Sequence, residues 1–286
     1  MTKVNLTRTT TSGIVRASRM DEGDEMKLVM AGDTHGDIRN VRHKIDKAKE
    51  HGSQRVLILG DVGIWWGYEG VKFIDDVNDY ARANNIQVFG IGGNHECWEL
   101  WNHLVAGAYE AGATSKGWAY IRTNFLLAPK VHDFVWSNKQ FVVAGGAVSI
   151  DKDYRLEYER KKGQKIWSPN EQLTDAEVDG LLDSRFGNGA MVDYLLTHDC
   201  SNMTPWKNRL KPDMESQIHR QRMDRILRGI KPRKHFHGHM HERYEWENRV
   251  GGNEYVDTYG LECNNYPDSW GILDLDTDEF IFATDL

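Results

Sequence analysis

Cysteine is scarce in this chain of 286 residues, which contains only Cys97, Cys200 and Cys263. Their number is odd and their spacing is wide, so the sequence lacks the paired pattern of a disulfide-stabilised secreted domain. Unpaired thiols are typical of a protein kept in a reducing compartment. We therefore expect an intracellular protein in which these cysteines act as small, partly buried side chains.

Long apolar segments are also missing from the sequence. A membrane-spanning helix needs roughly 18 or more apolar residues in a row, and no run here approaches that length. The first residues, up to Asp24, are rich in Thr, Ser and Arg and lack the apolar core of a signal peptide. We predict an N-terminal arm at residues 1–24, no membrane partner and a cytoplasmic location.

The sequence has no excess of positive charge, since its net charge is −7. Proteins that grip duplex DNA through many phosphates usually carry a basic surface, so strong binding of duplex nucleic acid is not expected. A local basic segment does extend from Arg220 to Lys234. A solvated helix face is the simpler interpretation of that segment, and a nucleic-acid patch is the alternative.

Proline is rare, with six residues, and no Pro/Gly/Ser-rich linker divides the chain. A chain of this length is long enough to bury one large hydrophobic core. We therefore predict a single domain at residues 25–286, with a polar insertion near residues 151–172.

Short apolar runs alternate with amphipathic segments in the first third of the chain. Lys27–Ala31, Arg55–Leu59 and Gln87–Ile91 are predicted strands, and each is followed by a polar turn and then by a helical pattern. This alternation indicates parallel strands joined by crossover helices, that is, an α/β fold. Ligands of such sheets bind beyond the carboxyl ends of the strands, where these polar turns lie.

Polar clusters that share Asp, Asn and His follow these three strands and two further predicted strands, Val192–Leu196 and Lys234–His237. The clusters are Asp33-Thr34-His35, Gly60-Asp61, Gly93-Asn94-His95-Glu96, Thr197-His198 and Gly238-His239-Met240-His241. Carboxylate and amide oxygens and neutral imidazoles are suitable donors for divalent metals. One carboxylate can bridge two cations roughly 3.5–4 Å apart, a pair that clamps a phosphate during hydrolysis. The number of donors fits two metal ions better than one.

Three segments are more specific than these clusters. Gly60–Trp66 reads Gly-Asp-Val-Gly-Ile-Trp-Trp, Gly93–Glu96 reads Gly-Asn-His-Glu, and Gly145–Arg155 reads Gly-Gly-Ala-Val-Ser-Ile-Asp-Lys-Asp-Tyr-Arg. With them the chain resembles the calcineurin-like metallophosphoesterase superfamily over Met26–Arg243, in particular a subgroup common in phages and bacteria. The resemblance implies a four-layer α/β/β/α sandwich, and it makes a phage-encoded protein in the host cytoplasm one interpretation of its origin.

The resemblance also implies a role for each polar side chain. The first metal ion would be held by Asp33, His35 and His241. The second would be held by Asn94, His198 and His239, with Asp61 as the bridge between the two. A shared water or hydroxide would attack phosphorus, while His95 would stabilise the phosphoryl oxygens and protonate the leaving alkoxide. Mn²⁺ is the expected metal, and Fe, Zn, Co and Ni also suit these donors.

The second cluster departs from the pattern of the protein serine/threonine phosphatases of this superfamily. Ile64 stands where they have the Asp that orients the catalytic His, and Trp65 stands where they have the Arg that binds a phosphomonoester. We expect Arg155 to replace that Arg, with a surface ion-pair role as the alternative. Without the usual cation, a diester with one negative charge becomes the more plausible substrate.

The sequence therefore predicts a phosphodiesterase that acts on a small phosphoester such as a nucleotide or cyclic nucleotide. A phosphomonoesterase or protein phosphatase, a nuclease and a non-catalytic scaffold are the alternatives. The scaffold is disfavoured because all seven predicted ligands and His95 are retained. The oligomeric state stays open.

Several other side chains near the motifs have both a structural and a functional interpretation. Core packing and substrate stacking compete for four tryptophans, namely Trp65, Trp66, Trp98 and Trp101. Glu96 is given no catalytic role, and His237 is a candidate support for a ligand. Five histidines are expected at the surface, namely His43, His51, His103, His132 and His219.

Overall fold

The structure is a computed structural model that describes residues 27–205 and 213–286. The described residues form two β-sheets and six α-helices. The predicted arm at residues 1–24 lies outside the described residues. None of the helices in the two described ranges is long and apolar enough to cross a lipid bilayer.

The first sheet has eight strands. They are β1 (Lys27–Ala31), β2 (Arg55–Leu59), β3 (Gln87–Ile91), β4 (Thr114–Ser115), β5 (Trp118–Tyr120), β6 (Phe125–Leu127), β13 (Trp270–Asp274) and β14 (Glu279–Phe282). Their order across the sheet is β14-β13-β1-β2-β3-β6-β5-β4. Strands β1, β2, β3 and β6 are parallel, and antiparallel strands extend both edges. The bounds predicted for β1, β2 and β3 are confirmed.

The second sheet has six strands. They are β7 (Val131–Trp136), β8 (Lys139–Ala144), β9 (Tyr194–Thr197), β10 (Lys234–His237), β11 (Tyr244–Gly251) and β12 (Glu254–Gly260). Their order is β11-β12-β10-β9-β8-β7. The four inner strands are parallel, and β7 and β11 add antiparallel edges.

Six helices connect or cover the strands. They are α1 (Ile38–Glu50), α2 (Tyr68–Ala83), α3 (Trp98–Glu110), α4 (Lys152–Lys162), α5 (Asp175–Leu182) and α6 (Met214–Ile230). Thr174 caps α5 with a capping box, because its side chain accepts from the Glu177 N–H and the Glu177 carboxylate accepts from the Thr174 N–H. Asp213 caps α6, because its side chain accepts from the Ser216 N–H.

Alternation along the strands divides the apolar residues among three cores. In β1, Val29 and Ala31 pack against helices α1, α2 and α3, while Leu28 and Met30 face the second sheet. The far side of the second sheet packs against α5 and α6. The layers are therefore helices, sheet, sheet and helices, which confirms the four-layer α/β/β/α arrangement.

The predicted polar insertion contains a helix that periodicity did not reveal. Helix α4 exposes most of its side chains, and Arg155 is the one that is buried. The Nζ atom of Lys152 donates to both carboxylate oxygens of Glu215 in α6, at 2.9 and 2.8 Å. This ion pair ties the insertion to the second helical layer.

The basic segment predicted as a helix face is used largely for contacts within the protein. Arg222 and Arg225 pair with Asp175 of α5, and Lys231 pairs with Glu254. His219 was predicted at the surface, and this is wrong, because its ring is buried at 2.9 Å from the carboxylate of Asp199. Helix α6 turns that face towards the second sheet.

Candidate metal centre

The five polar clusters meet where the carboxyl ends of the parallel strands of both sheets come together. Four of the predicted ligands have left-handed backbone conformations, namely His35, Asp61, His239 and His241, with φ values of 47°, 46°, 63° and 50°. Such conformations are unfavourable for residues with a side chain and concentrate at functional sites. The local backbone is thus bent to bring these side chains inward.

Glycines permit the close approach of the loops at this point. A Cβ atom on Gly60, whose φ is 95°, would lie 2.0 Å from Nδ1 of His198. A Cβ atom on Gly238 would lie 2.2 Å from Oδ1 of Asp33. A side chain at either position would push a predicted ligand out of place.

Asp33 connects the first sheet to the last cluster of the second sheet. Its Oδ1 accepts from the backbone N–H of His239 at 2.8 Å, and its Oδ2 lies 3.0 Å from Nε2 of His241. Nε2 of His35 lies 3.9 Å from the same Oδ2. The three side chains predicted to hold the first metal therefore converge.

Asp61 lies between the two predicted ligand sets. Nε2 of His35 approaches its Oδ2 at 3.4 Å, and Nε2 of His198 approaches its Oδ1 at 3.3 Å. The backbone N–H of His95 also donates to Oδ1, at 2.8 Å. Each carboxylate oxygen thus faces a different imidazole, which is the arrangement that a bridging carboxylate needs.

The second predicted ligand set gathers around His198. Its Nδ1 lies 2.8 Å from the Leu59 carbonyl, so Nδ1 carries the proton and Nε2 is left to bind a cation when the ring is neutral. Nε2 lies 3.0 Å from Oδ1 of Asn94, and the His239 ring lies 4.9 Å from the His198 ring between centroids. Asn94, His198 and His239 are therefore neighbours.

The donor set fits divalent cations. Among the described residues, three triads have donor atoms within 4.8 Å of one another, namely Asp33–His35–His241, Asp33–Asp61–His198 and His35–Asp61–His95. When the His198 ring is neutral, its Nε2 is an acceptor that lies 3.0 Å from Oδ1 of Asn94 and 3.3 Å from Oδ1 of Asp61, which are acceptors as well. Such a group of acceptors is stabilised by a cation placed among them.

The electrostatics of the site agree with this fit. Burial lowers the pKa of His35, but the hydrogen bond and charge of Asp61 outweigh it and raise the pKa to about 9. Burial is likewise outweighed at His198, where the charges of Asp61 and Asp33 raise the pKa to about 10. The same negative potential attracts divalent cations, which compete with protons for these nitrogens.

His95 and Arg155 lie together beside the ligands. The Nη2 atom of Arg155 is 2.7 Å from Nδ1 and 2.8 Å from Nε2 of His95, so the guanidinium faces the edge of the imidazole that carries both nitrogens. Arg155 donates through Nε to Asp151 at 2.7 Å and through Nη1 to the Ile166 carbonyl at 3.2 Å. It is 7% exposed, so it is a buried neighbour of His95 and not a surface ion-pair residue.

The two departures in the second cluster have different environments. Ile64 is completely buried in the first hydrophobic core, so no carboxylate occupies that position. Trp65 is 41% exposed, and its indole lies against the backbone of Gly36, next to His35. An exposed aromatic face is therefore available at the margin of the site.

The other three tryptophans of this region do not share that exposure. Trp98 and Trp101 are completely buried, and their indole N–H groups donate to the carbonyls of Gly93 and Ala128, each at 2.9 Å. Trp66 is half-buried. Core packing is the correct interpretation for Trp98 and Trp101, with Trp98 also holding the loop of the third cluster.

Two residues that hold the site together had no role in the sequence-based prediction. The buried carboxylate of Glu96 accepts from the backbone N–H groups of Val62 and Ile64 at 2.5 and 2.8 Å. Both donors lie in the loop that follows Asp61. Oδ1 of Asn264 lies 2.9 Å from Nδ1 of His35. The only sequence signal for Glu96 was its position next to His95. No sequence signal marked Asn264, because it lies 229 residues from its partner His35.

His237 supports a loop and not a ligand side chain. Its ring lies between the Gly238 carbonyl at 2.8 Å from Nδ1 and the Tyr244 hydroxyl at 2.5 Å from Nε2. His235 is also buried, with Nε2 at 2.7 Å from the hydroxyl of Thr197. Both rings thus fix the ends of the strands that precede His198 and His239.

Solved structures with the same architecture include two that align over most of both chains. The TT1561 protein of Thermus thermophilus has a TM-score of 0.54 and 9% identity, with 90% of this chain and 97% of that chain covered. A dimetal phosphatase from Danio rerio has a TM-score of 0.54 and 12% identity, with 87% and 92% covered. At these identities the similarity shows the fold. No curated protein sequence matched the chain.

The sequence itself matches the family model described as calcineurin-like phosphoesterase over residues 26–243. That range spans most of the chain and contains all five polar clusters and Arg155. It agrees with the range over which the motifs indicated the resemblance. The chain belongs to the calcineurin-like phosphoesterase family, whose members are metal-dependent phosphoester hydrolases.

Proposed function

We propose that this protein is a dinuclear metal-dependent phosphodiesterase. The observation that carries the proposal is the position of Asp61, whose two oxygens face His35 on one side and His198 on the other. A carboxylate in this position serves both cations of a pair. The first cation would be held by Asp33, His35 and His241, and the second by Asn94, His198 and His239.

The catalytic roles would be divided between the metal ions and the side chains of His95 and Arg155. Two bound divalent cations would polarise the phosphoryl oxygens and lower the pKa of water. His95 has 35% of its side chain exposed, and its Nε2 lies 3.9 Å from Oδ2 of Asp61. It would protonate the leaving alkoxide. Arg155 would bind a phosphoryl oxygen next to His95, because its guanidinium is directed to that edge of the ring.

The preference for a diester follows from the limited positive charge on the side chains that would contact the phosphate. Arg155 shares its guanidinium with the carboxylate of Asp151, which offsets part of its charge. The position of the usual phosphate-binding Arg is taken by the neutral Trp65. A monoanionic diester needs less positive charge than a dianionic monoester, and Trp65 offers an aromatic face to a nucleobase. A nucleotide or cyclic nucleotide is the substrate class that suits this site, with Mn²⁺ as the proposed metal.

The direct test compares bis-p-nitrophenyl phosphate with p-nitrophenyl phosphate in the presence of Mn²⁺. We expect kcat/KM to be higher for the diester. The His95→Ala variant should lower kcat by roughly 10²–10⁴-fold while its Mn²⁺ content stays the same, since a general acid contributes that much. Preference for the monoester would contradict the diesterase, and an active His95→Ala variant would contradict the site.

A further inference from the structure

A chain of polar contacts leads from the predicted ligand Asn94 into the protein interior. Nδ2 of Asn94 donates to the hydroxyl of Ser149 at 3.1 Å. The Ser149 hydroxyl donates to Oε2 of Glu171 at 2.6 Å, and the Ser149 backbone N–H donates to Oε1 at 2.9 Å. Ser149 is 1% exposed and Glu171 is 0% exposed, so water does not compete for these contacts.

The two hydrogen bonds that link the side chains of Asn94, Ser149 and Glu171 have the same donor direction, from Asn94 towards Glu171. Burial raises the pKa of Glu171 to about 7, so above that pH its side chain is a carboxylate, which only accepts hydrogen bonds, and a hydroxyl has a single hydrogen to give. Because the Ser149 hydroxyl gives that hydrogen to Glu171, it accepts from Asn94, and the group facing it is the Asn94 NH₂. The amide oxygen of Asn94 is thereby turned the other way, to 3.0 Å from Nε2 of His198.

We propose that Glu171 is a positioning residue that fixes the orientation of the Asn94 amide through Ser149. The inference rests on the proposed function, in which the Asn94 oxygen binds the second cation. A rotated amide would present NH₂ to that cation and repel it. Glu171 thus selects the ligand atom without touching the metal, as partners behind metal ligands do in other sites.

The backbone around Glu171 is held by contacts that do not involve its carboxylate. The Nζ atom of Lys130 donates to the carbonyls of Asn170 and Gln172 at 2.8 and 2.9 Å. The Ala147 N–H donates to the Glu171 carbonyl at 3.0 Å. A change of the Glu171 side chain alone therefore leaves the anchors of the turn in place.

Glu171→Gln is the informative substitution because it keeps the shape and changes the pattern of donors. With Gln Oε1 still accepting from the Ser149 N–H, the new NH₂ group faces the Ser149 hydroxyl. That hydroxyl must then accept, its hydrogen is free for Asn94, and the amide of Asn94 is no longer held in one orientation. We expect the affinity for the second Mn²⁺ to fall by about 10–100-fold, with the first Mn²⁺ unaffected.

The experiment is calorimetric titration of chelator-treated full-length protein with Mn²⁺ in two backgrounds. Glu171→Gln is compared with the native chain, and the same change is compared within an Asn94→Asp variant. An aspartate at position 94 presents oxygen in either orientation, so Glu171→Gln should then change the second affinity by no more than about twofold, the usual limit for uncoupled sites.

Glu159→Gln is the matched control. The Glu159 carboxylate also holds two backbone N–H groups, of Ile166 and Trp167 at 2.7 Å each, in the same insertion. Neither of these N–H groups contacts Ser149 or Asn94, so both Mn²⁺ affinities should stay at the native level. A loss in Glu159→Gln equal to that in Glu171→Gln would reduce the effect to general loosening of the insertion and overturn the proposal.

The outcomes separate the two proposals. If the native chain binds two Mn²⁺ ions and Glu171→Gln binds the second equally well, the positioning role is wrong and the dinuclear site stands. Equal losses in the native and Asn94→Asp backgrounds would also overturn the positioning role. If the native chain binds no second Mn²⁺, the dinuclear function fails and the inference fails with it.

Discussion

Asp61 shows at the scale of one residue how the site combines strain with chemistry. Its φ of 46° is unfavourable for an aspartate, and the conformation directs its carboxylate between His35 and His198. Burial favours the neutral acid, but the charges of His95 and His198 outweigh it and keep the pKa of Asp61 well below its usual range. The Asp61 carboxylate is therefore an anion that can bind cations.

Arg155 gives a prediction at the same scale. Replacing it with alanine removes the guanidinium beside His95, and kcat for a diester should fall by roughly 10²–10³-fold, as when one donor to a developing charge is lost. Steady-state kinetics with bis-p-nitrophenyl phosphate would measure the change. Arg160→Ala is the control, because Arg160 is an exposed residue of the same helix. Native kcat in Arg155→Ala would remove Arg155 from the site.

Trp65 tests the class of substrate. If its indole stacks on a nucleobase, Trp65→Ala should raise KM for a cyclic nucleotide by roughly 5–150-fold, equivalent to 1–3 kcal/mol of stacking. The KM for an abasic ribose cyclic phosphate should change little. Tyr68→Ala is the matched control, since Tyr68 is a nearby aromatic that is 74% exposed. An equal rise in KM for both substrates would argue against base stacking.

At the scale of secondary structure, Glu96 fastens the loop of the second cluster to the loop of the third. Its carboxylate is completely buried, and burial raises its pKa to about 7 despite the N–H groups that it accepts. Those donors belong to Val62, Gly63 and Ile64, which directly follow Asp61. The position of the Asp61 carboxylate thus depends on a residue of the loop that follows the neighbouring strand.

Glu96→Ala should therefore lower both stability and metal binding. It leaves buried N–H groups without their acceptor, at a cost of about 1–3 kcal/mol each, so the free energy of unfolding should fall by several kcal/mol. Urea denaturation would measure the loss. Glu99→Ala, which removes a carboxylate that is 41% exposed in helix α3 just after Glu96, should change stability by less than about 1 kcal/mol. A fully stable Glu96→Ala variant would contradict this account.

The first three strands and the convergence of the candidate ligands could be predicted from the sequence, but the contacts between loops could not. Apolar runs that end at polar clusters mark β1, β2 and β3 together with Asp33, Asp61 and Asn94, because sequence and space agree at a strand end. Helix α4 gave no signal, since Arg155 is its buried residue and no apolar stripe exists. The contact of Glu171 with Ser149 depends on loop conformations that propensity does not determine.

The misplacement of His219 has the same origin. A histidine among the charged residues of an amphipathic helix is typical of an exposed face. Its burial depends on Asp199, which follows His198 and lies 20 residues earlier in the chain. The sequence contains both residues but not the packing of α6 on the second sheet that pairs them.

At the scale of the whole molecule, the site is shared between two sheets. Asp33 and Asp61 come from the first sheet, while His198, His239 and His241 come from the second. A bound cation would therefore join the two halves of the sandwich. This arrangement makes metal binding a contribution to global stability as well as to chemistry.

Removal of metal should accordingly destabilise the protein. A ligand that binds only the folded state adds about 2.7 kcal/mol when its free concentration is 100 times its Kd. We expect Mn²⁺ to raise Tm and a chelator to return it to the metal-free value. Asp61→Asn should respond less to Mn²⁺ than the native chain. If Mn²⁺ left Tm unchanged in the native chain, the cations would not connect the sheets.

Anomalous diffraction from crystals grown with Mn²⁺ would show whether Asp61 bridges two cations. We predict two anomalous peaks roughly 3.5–4 Å apart on either side of the Asp61 carboxylate. One peak should be contacted by Asp33, His35 and His241, and the other by Asn94, His198 and His239. A single peak, or two peaks that do not share Asp61, would contradict the account.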